Sequence, residues 1–267
     1  MINNYLDIWN SLNVKERLQN KILAANYFIA ILSLNIVEAF KILFLEKKLF
    51  IENFVENFRK IIWTCLPIAT LTVSTSSIVY SIHVAPESSQ RGLDIYLGGL
   101  VALSLIREGV PVMGSLAVVT QYCSGMTAQI GSMKVTEQID AMKMSRVNPS
   151  AYFLLPMILA GLVGFPLVII ICILMGLFVS YISSNLLIDI TFNLYSNSIL
   201  HAIRIKDIAF ALTKASIFGF FVTLVSYTCG IMAVGGSKAV GNSTRLSVII
   251  NFALVIILDY LITALWI

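Results

Sequence analysis

The chain has 267 residues, of which 58% are hydrophobic and only 12% charged, and its mean hydropathy is +0.89. A soluble domain carries about a quarter of its residues as Asp, Glu, Lys and Arg, so a water-soluble fold is excluded: it could not hide this much apolar surface. The formal net charge of +4 suits basic loops on one side of a membrane, and no run of interleaved basic and aromatic residues offers a nucleic-acid surface.

Residues 1–21 are polar and carry Lys15, Arg17 and Lys21, without the apolar core and small-residue site of a cleaved signal peptide. A crossing helix needs about 20 mostly apolar residues. The first apolar stretch, 22–45, contains Asn26, Asn35, Glu38 and Lys41, and basic residues flank it on both sides, with Lys47, Lys48, Arg59 and Lys60 following it. Both flanks then face the cytoplasm, and a helix with both ends on one side does not cross. The stretch reads as an interfacial or re-entrant helix, with a six-span arrangement as the alternative.

Five spans follow, over about 61–82, 93–126, 152–183, 207–234 and 246–267. The loops at 127–150, with Lys134, Lys143 and Arg146, and at 235–245, with Lys238 and Arg245, are cytoplasmic by the same rule; those at 83–92 and 184–206 face outward. Asn148-Pro149 is placed to cap and start the third span. Pro111 should kink or break the second, and Pro156 and Pro166 lie in the third. Such breaks survive in a membrane only where protein or water satisfies the freed carbonyls. Ala211, Ala215 and Gly219 give the fourth span a small face, suited to packing within the chain or against a second copy.

No catalytic motif appears. Gly236 to Ser243 has the glycine and serine spacing of a phosphate loop, but Asn242 stands where lysine would reach the phosphates, and an apolar helix precedes it instead of a strand. It reads as a glycine-rich turn. Cys65, Cys123, Cys172 and Cys229 each sit in an apolar run and read as buried thiols; His83 and His201 are isolated, so no metal site is expected. The informative residues are charges in apolar surroundings: Arg107-Glu108 in the second span and Asp259 in the last. Ionisable groups at membrane depth face a partner or a wet cavity, although Arg107 and Glu108 could also simply pair near an interface. Between spans two and three, Val135, Ile139 and Met142 share one helical face, with Thr136, Glu137, Asp140 and Lys143 on a polar side. This reads as a short amphipathic cytoplasmic helix that lies on the membrane or docks into a partner's groove.

At these residues the chain resembles the MlaE-type permease family of ABC transporters. The resemblance rests on Arg107-Glu108-Gly109-Val110-Pro111-Val112, on the run from Gly131 through Val135-Thr136-Glu137-Gln138-Ile139-Asp140 to Met142, on Asn148-Pro149 with Tyr152 and Pro156, and on Gly235-Gly236, Val240-Gly241 and Asp259 to Thr263. It covers about residues 60–267 and divides the chain into an N-terminal cytoplasmic and interfacial region, 1–60, and a permease domain, 61–267. It implies an all-α integral membrane protein with about five transmembrane helices, an N-terminal interfacial or re-entrant helix and a cytoplasmic coupling helix. The implied protein is a homodimeric, non-catalytic subunit of the inner membrane, with a plastid envelope as the alternative location. It would bind two cytoplasmic ABC ATPase subunits, which hold the ATP, and a periplasmic MCE-domain lipid carrier. Its function would be to move phospholipids and maintain outer-membrane asymmetry.

The implied coupling helix spans 133–146, with Met133, Val135, Glu137, Gln138, Ile139 and Asp140 as the ATPase contact. Arg107, Glu108 and Asp259 would line the lipid pathway. Two departures stand out: the family usually has Gly-Arg where this chain has Thr120-Gln121, and Glu where it has Gln129. One charge of each sign is thus absent together, as expected of a linked pair. Gly109 also replaces a common leucine. The rival readings are an ion-gradient-driven secondary transporter, which needs buried carboxylates in series or an inverted repeat, and a non-transporting scaffold.

Overall fold

The computed structural model describes residues 30–31, 33–34 and 47–266. Apart from those first four positions, the expected interfacial helix over 22–45 lies outside the described residues. From Lys47 onward the described chain is all-α. Five helices are long and apolar enough to cross a membrane: Phe50–Gln90, Asp94–Val135, Ser150–Ile188, Ile205–Ile231 and Ser237–Trp266, here spans 1 to 5. Each expected span falls on one of them. Spans 1 to 3 have 41, 42 and 39 residues, which is about 60 Å at 1.5 Å per residue. That is roughly twice the hydrocarbon thickness, so their ends reach well beyond the apolar layer or the helices tilt. The boundary expected at residue 60 falls inside one continuous helix.

Proline shapes these helices without ending them. Three π-helical segments, Ile61–Cys65, Leu105–Gly109 and Ser150–Leu154, run directly into helices that have a proline in the first turn, at Pro67, Pro111 and Pro156. Proline has no N–H for the carbonyl four residues back and its ring crowds that carbonyl; the wider π turn relieves the clash. Two of the freed carbonyls find side-chain donors. Asn53 Nδ2 donates to the Tyr152 carbonyl at 3.3 Å, four residues before Pro156. Lys214 Nζ donates to the Arg107 carbonyl at 3.1 Å, four residues before Pro111. The expected break at Pro111 is therefore a local widening of a continuous helix. Asn148 caps span 3 as expected, its Oδ1 accepting from the Ser150 N–H at 3.0 Å.

Spans 2 and 4 form the centre, with 61% and 56% of their most apolar stretch buried, whereas span 5 lies outermost with 11%. Span 3 packs against both span 1 and span 4. Its closest approach is at Gly161, where a Cβ would stand 2.7 Å from the Gly219 carbonyl oxygen; only glycine lets the two backbones meet. The small face of span 4 thus turns inward, with Ala211 and Ala215 buried as well. Toward the end where spans 2 and 3, and spans 4 and 5, are joined, a buried polar cluster ties spans 2, 4 and 5. Thr127 Oγ1 donates to the Ser226 carbonyl at 3.0 Å, and Asn251 Nδ2 to Ser226 Oγ at 2.7 Å. All four cysteines are buried and free.

The connections differ from expectation in three places. The turn between spans 4 and 5 is confined to 232–236, with Gly235 and Gly236 in the left-handed region (φ 109° and 88°), and span 5 starts at Ser237. The connection between spans 3 and 4 contains an unanticipated helix, Phe192–Ala202, which packs on the start of span 2; there Ser198 Oγ accepts from the Gly99 N–H at 2.9 Å. The stretch 133–146 is also not one helix. Span 2 runs to Val135, Glu137 turns the chain with φ 61°, and a separate helix covers Gln138–Met144.

Candidate functional site

Five charged side chains from three spans meet in the half of the bundle that carries the Phe192–Ala202 helix. Lys214, in span 4, lies nine residues from Ile205, about 14 Å along the axis, and is 0% exposed. Its ammonium donates to Glu108 Oε2 at 2.9 Å, to Asp259 Oδ1 at 2.7 Å and to the Arg107 carbonyl. An ammonium has three donors, so these three acceptors match it. The Phe210 ring lies beneath it, 4.8 Å from the centroid. Thr263 Oγ1 donates to the other Glu108 oxygen at 3.1 Å.

Arg107 does not pair with its neighbour Glu108. Adjacent helix positions do not face one another, and Arg107 instead grips Asp207, with Nε at 2.8 Å and Nη2 at 2.7 Å from Oδ1. Asp207 Oδ2 in turn accepts from the Arg204 N–H at 3.0 Å and caps span 4. The cluster has a dry side and an open side. Asp207 and Lys214 are buried, while the side chains of Arg107 and Glu108 are 53% and 42% exposed. An open cation and an open carboxylate on a spanning helix are costly in lipid alone; they suit a polar ligand or a wet path along this face.

Three of the five residues, Arg107, Glu108 and Asp259, stand out in the sequence as charges in apolar runs. Lys214 is also a lone charge in an apolar run, 208–225, and was passed over; Asp207 sits at the edge of that run, and the partners of both lie 45 to 106 residues away. The available signal was a surplus: three intramembrane charges imply a fourth that balances them.

The residues of the expected coupling helix are divided by the Glu137 corner. Met133 and Val135 end span 2, while Gln138, Ile139 and Asp140 open the short helix. Ile139 is fully buried in its own chain. Asp140 is held by Lys134, with Nζ 2.8 and 2.9 Å from its two oxygens, and this hydrogen bond keeps its carboxyl below the usual carboxylate range. Glu137 and Gln138 are exposed. Gln121 and Gln129, the two departures, line one cavity together with Lys60 of span 1.

A family model described as "Permease MlaE" matches residues 54–265. Similar proteins include TRIGALACTOSYLDIACYLGLYCEROL 1, chloroplastic, of Arabidopsis thaliana, 29% identical over 199 residues that cover 74% of this chain and 57% of that protein. The chain thus spans little more than half of the Arabidopsis protein. A "probable ABC transporter permease protein" of Synechocystis is 29% identical over 198 residues, covering 74% of this chain and 75% of its own length. One of Rickettsia felis is 29% identical over 201 residues, covering 75% and 78%.

Proposed function

The chain belongs to the MlaE permease family, and from that premise we propose that it is the membrane subunit of an ABC transporter that moves phospholipid, or a similar lipid. The carrying observation is the open-sided ion cluster: a fully buried Lys214 joins spans 2, 4 and 5, and Arg107 and Glu108 face outward beside it. A zwitterionic or anionic headgroup fits a surface that offers both signs of charge, and rearrangement of the three spans would change that surface. The name of the Arabidopsis relative is that of a galactolipid, which supports a diacylglycerol-based lipid as the substrate class and leaves the charged headgroup to rest on the ion cluster.

In this reading ATP is bound and hydrolysed by a separate cytoplasmic ATPase, seated against the exposed Glu137–Gln138 corner. Nucleotide biases a two-state repacking of the spans. The lipid passes between the inner membrane and a periplasmic MCE-domain carrier and so maintains outer-membrane asymmetry. Two copies pair through span 5, whose Leu246, Ile249, Ile256 and Ile257 are exposed. The test is ATP-dependent transfer of labelled phospholipid by the reconstituted complex. Combining Lys214→Met, Glu108→Gln and Asp259→Asn should abolish transfer while the complex still assembles. Wild-type transfer by that variant would refute a role for the cluster.

A further inference from the structure

A second polar site lies far from the ion cluster. A cavity of about 280 Å³ opens between spans 1 and 2, lined by Asn57, Lys60, Thr64, Gln121, Gly125 and Gln129 among others. Along span 2, Gln121 and Gln129 are 13 and 21 residues from Glu108, about 20 and 32 Å, on the side of the cytoplasmic loops. Gln121, Gly125 and Gln129 recur every four residues and so share one face. All three are exposed, as is Thr64.

The cavity is built, not incidental. Tyr122, buried in its wall, donates to Asn57 Oδ1 at 3.0 Å and locks the two spans together. Among the described residues a Cβ at Gly125 would meet nothing within 4 Å, so this position faces open space. Neither the Gln121 nor the Gln129 carboxamide has a hydrogen-bond partner among the described residues. Both amides are exposed on the cavity wall, and each has two N–H donors available to a polar occupant. The lining supplies one cation and several neutral donors but no carboxylate. Among the described residues, Lys60 forms its ion pair with the exposed Glu56, 2.7 Å away on the preceding turn, and such a surface pair is weak. Apolar surface flanks the opening, with Trp63 and Leu71 of span 1 exposed.

We propose that this cavity binds the phosphate group of a phospholipid drawn from the cytoplasmic leaflet, with Lys60 and the Gln121 and Gln129 amides on the phosphate and the acyl chains along Trp63 and Leu71. The inference rests on the lipid-permease reading and adds a loading site to it.

The test is native mass spectrometry of the full-length chain titrated with phosphatidylglycerol. Wild type should bind one lipid more tightly than the rest. Lys60→Gln and Gly125→Trp should each weaken that binding about tenfold, the order of one charge-assisted hydrogen bond, and Gly125→Ala should not. Should the tryptophan variant fail to fold, Gln121→Leu with Gln129→Leu replaces it. Diacylglycerol, which has the same chains and no phosphate, should not compete. Equal affinity in wild type and variants, or equal competition by diacylglycerol, overturns the proposal. Displacement by inorganic phosphate overturns the lipid source and assigns the site to a soluble phosphate. A wild type that binds no lipid at this site while the Lys214 transfer result holds faults this inference alone, whereas a complex that neither binds nor transfers phospholipid faults the permease reading itself.

Discussion

Lys214 decides the charge balance of the bundle. With Lys214→Met alone, Glu108 and Asp259 lose their shared counter-charge, which costs about 3–5 kcal/mol. The triple change Lys214→Met, Glu108→Gln and Asp259→Asn removes all three charges at once and should restore most of the lost stability. Thermal unfolding in detergent checks both expectations; equal melting of single and triple variants would contradict them. The same logic applies to Gln121 and Gln129, which share one cavity. Gln121→Arg alone places a second cation beside Lys60 and should lower the melting temperature more than Gln121→Arg with Gln129→Glu, and equal melting would sink the idea of a linked pair. At this scale the sequence displays the charges but not their partners. Arg107 and Glu108 look like a pair, yet helix geometry turns them to different neighbours, Asp207 and Lys214. Those contacts depend on how three helices are rotated against one another, and residue spacing within one helix does not record that.

The elements were legible where local chemistry governs them. Asn148-Pro149 caps span 3 because a short side chain and a missing N–H suit a helix start. Pro111 was legible as a disturbance but not as a π widening, since the Arg107 carbonyl is rescued by a lysine on another span. The Phe192–Ala202 helix was hidden by its polar residues, although Tyr195, Ser198 and Ala202 lie on one face. The 133–146 stretch has the apolar period of a helix, but Glu137 takes a left-handed backbone and splits it. Gly161→Leu should push spans 3 and 4 apart and cost about 1–3 kcal/mol or more, read by thermal unfolding; a wild-type melt would mean that the contact yields freely. The Lys134–Asp140 bridge gives the 136–149 loop a pH dependence. Its folded carboxyl is below the ordinary range, so its contribution is complete above that range and is lost as pH falls through the lowered value. Protease protection of the loop should hold at neutral pH and drop only in acid. An unchanged acid profile in Asp140→Asn would argue against the bridge.

For the whole molecule, composition and run length reveal the membrane class and the number of long apolar helices. They do not show which spans are central. Span 5 is the second most apolar of the five and yet the least buried, because in a membrane apolar character marks contact with lipid or with another copy as readily as a core. The architecture has a dry centre of spans 2 and 4, an ion cluster toward the end that carries the Phe192–Ala202 helix and an exposed corner at Glu137 toward the other. In the proposed mechanism this bundle is driven from outside itself, by an ATPase at that corner. Co-purification of the tagged chain from its native membrane in gentle detergent, as wild type, Glu137→Gly and Glu137→Lys, tests this without intermediate steps. Glycine keeps the left-handed turn without strain, and lysine reverses the charge. An ABC ATPase should accompany the wild type, be reduced with glycine and be lost with lysine. A chain that carries no ATPase, or one whose ATPase is indifferent to Glu137→Lys, would contradict the mechanism.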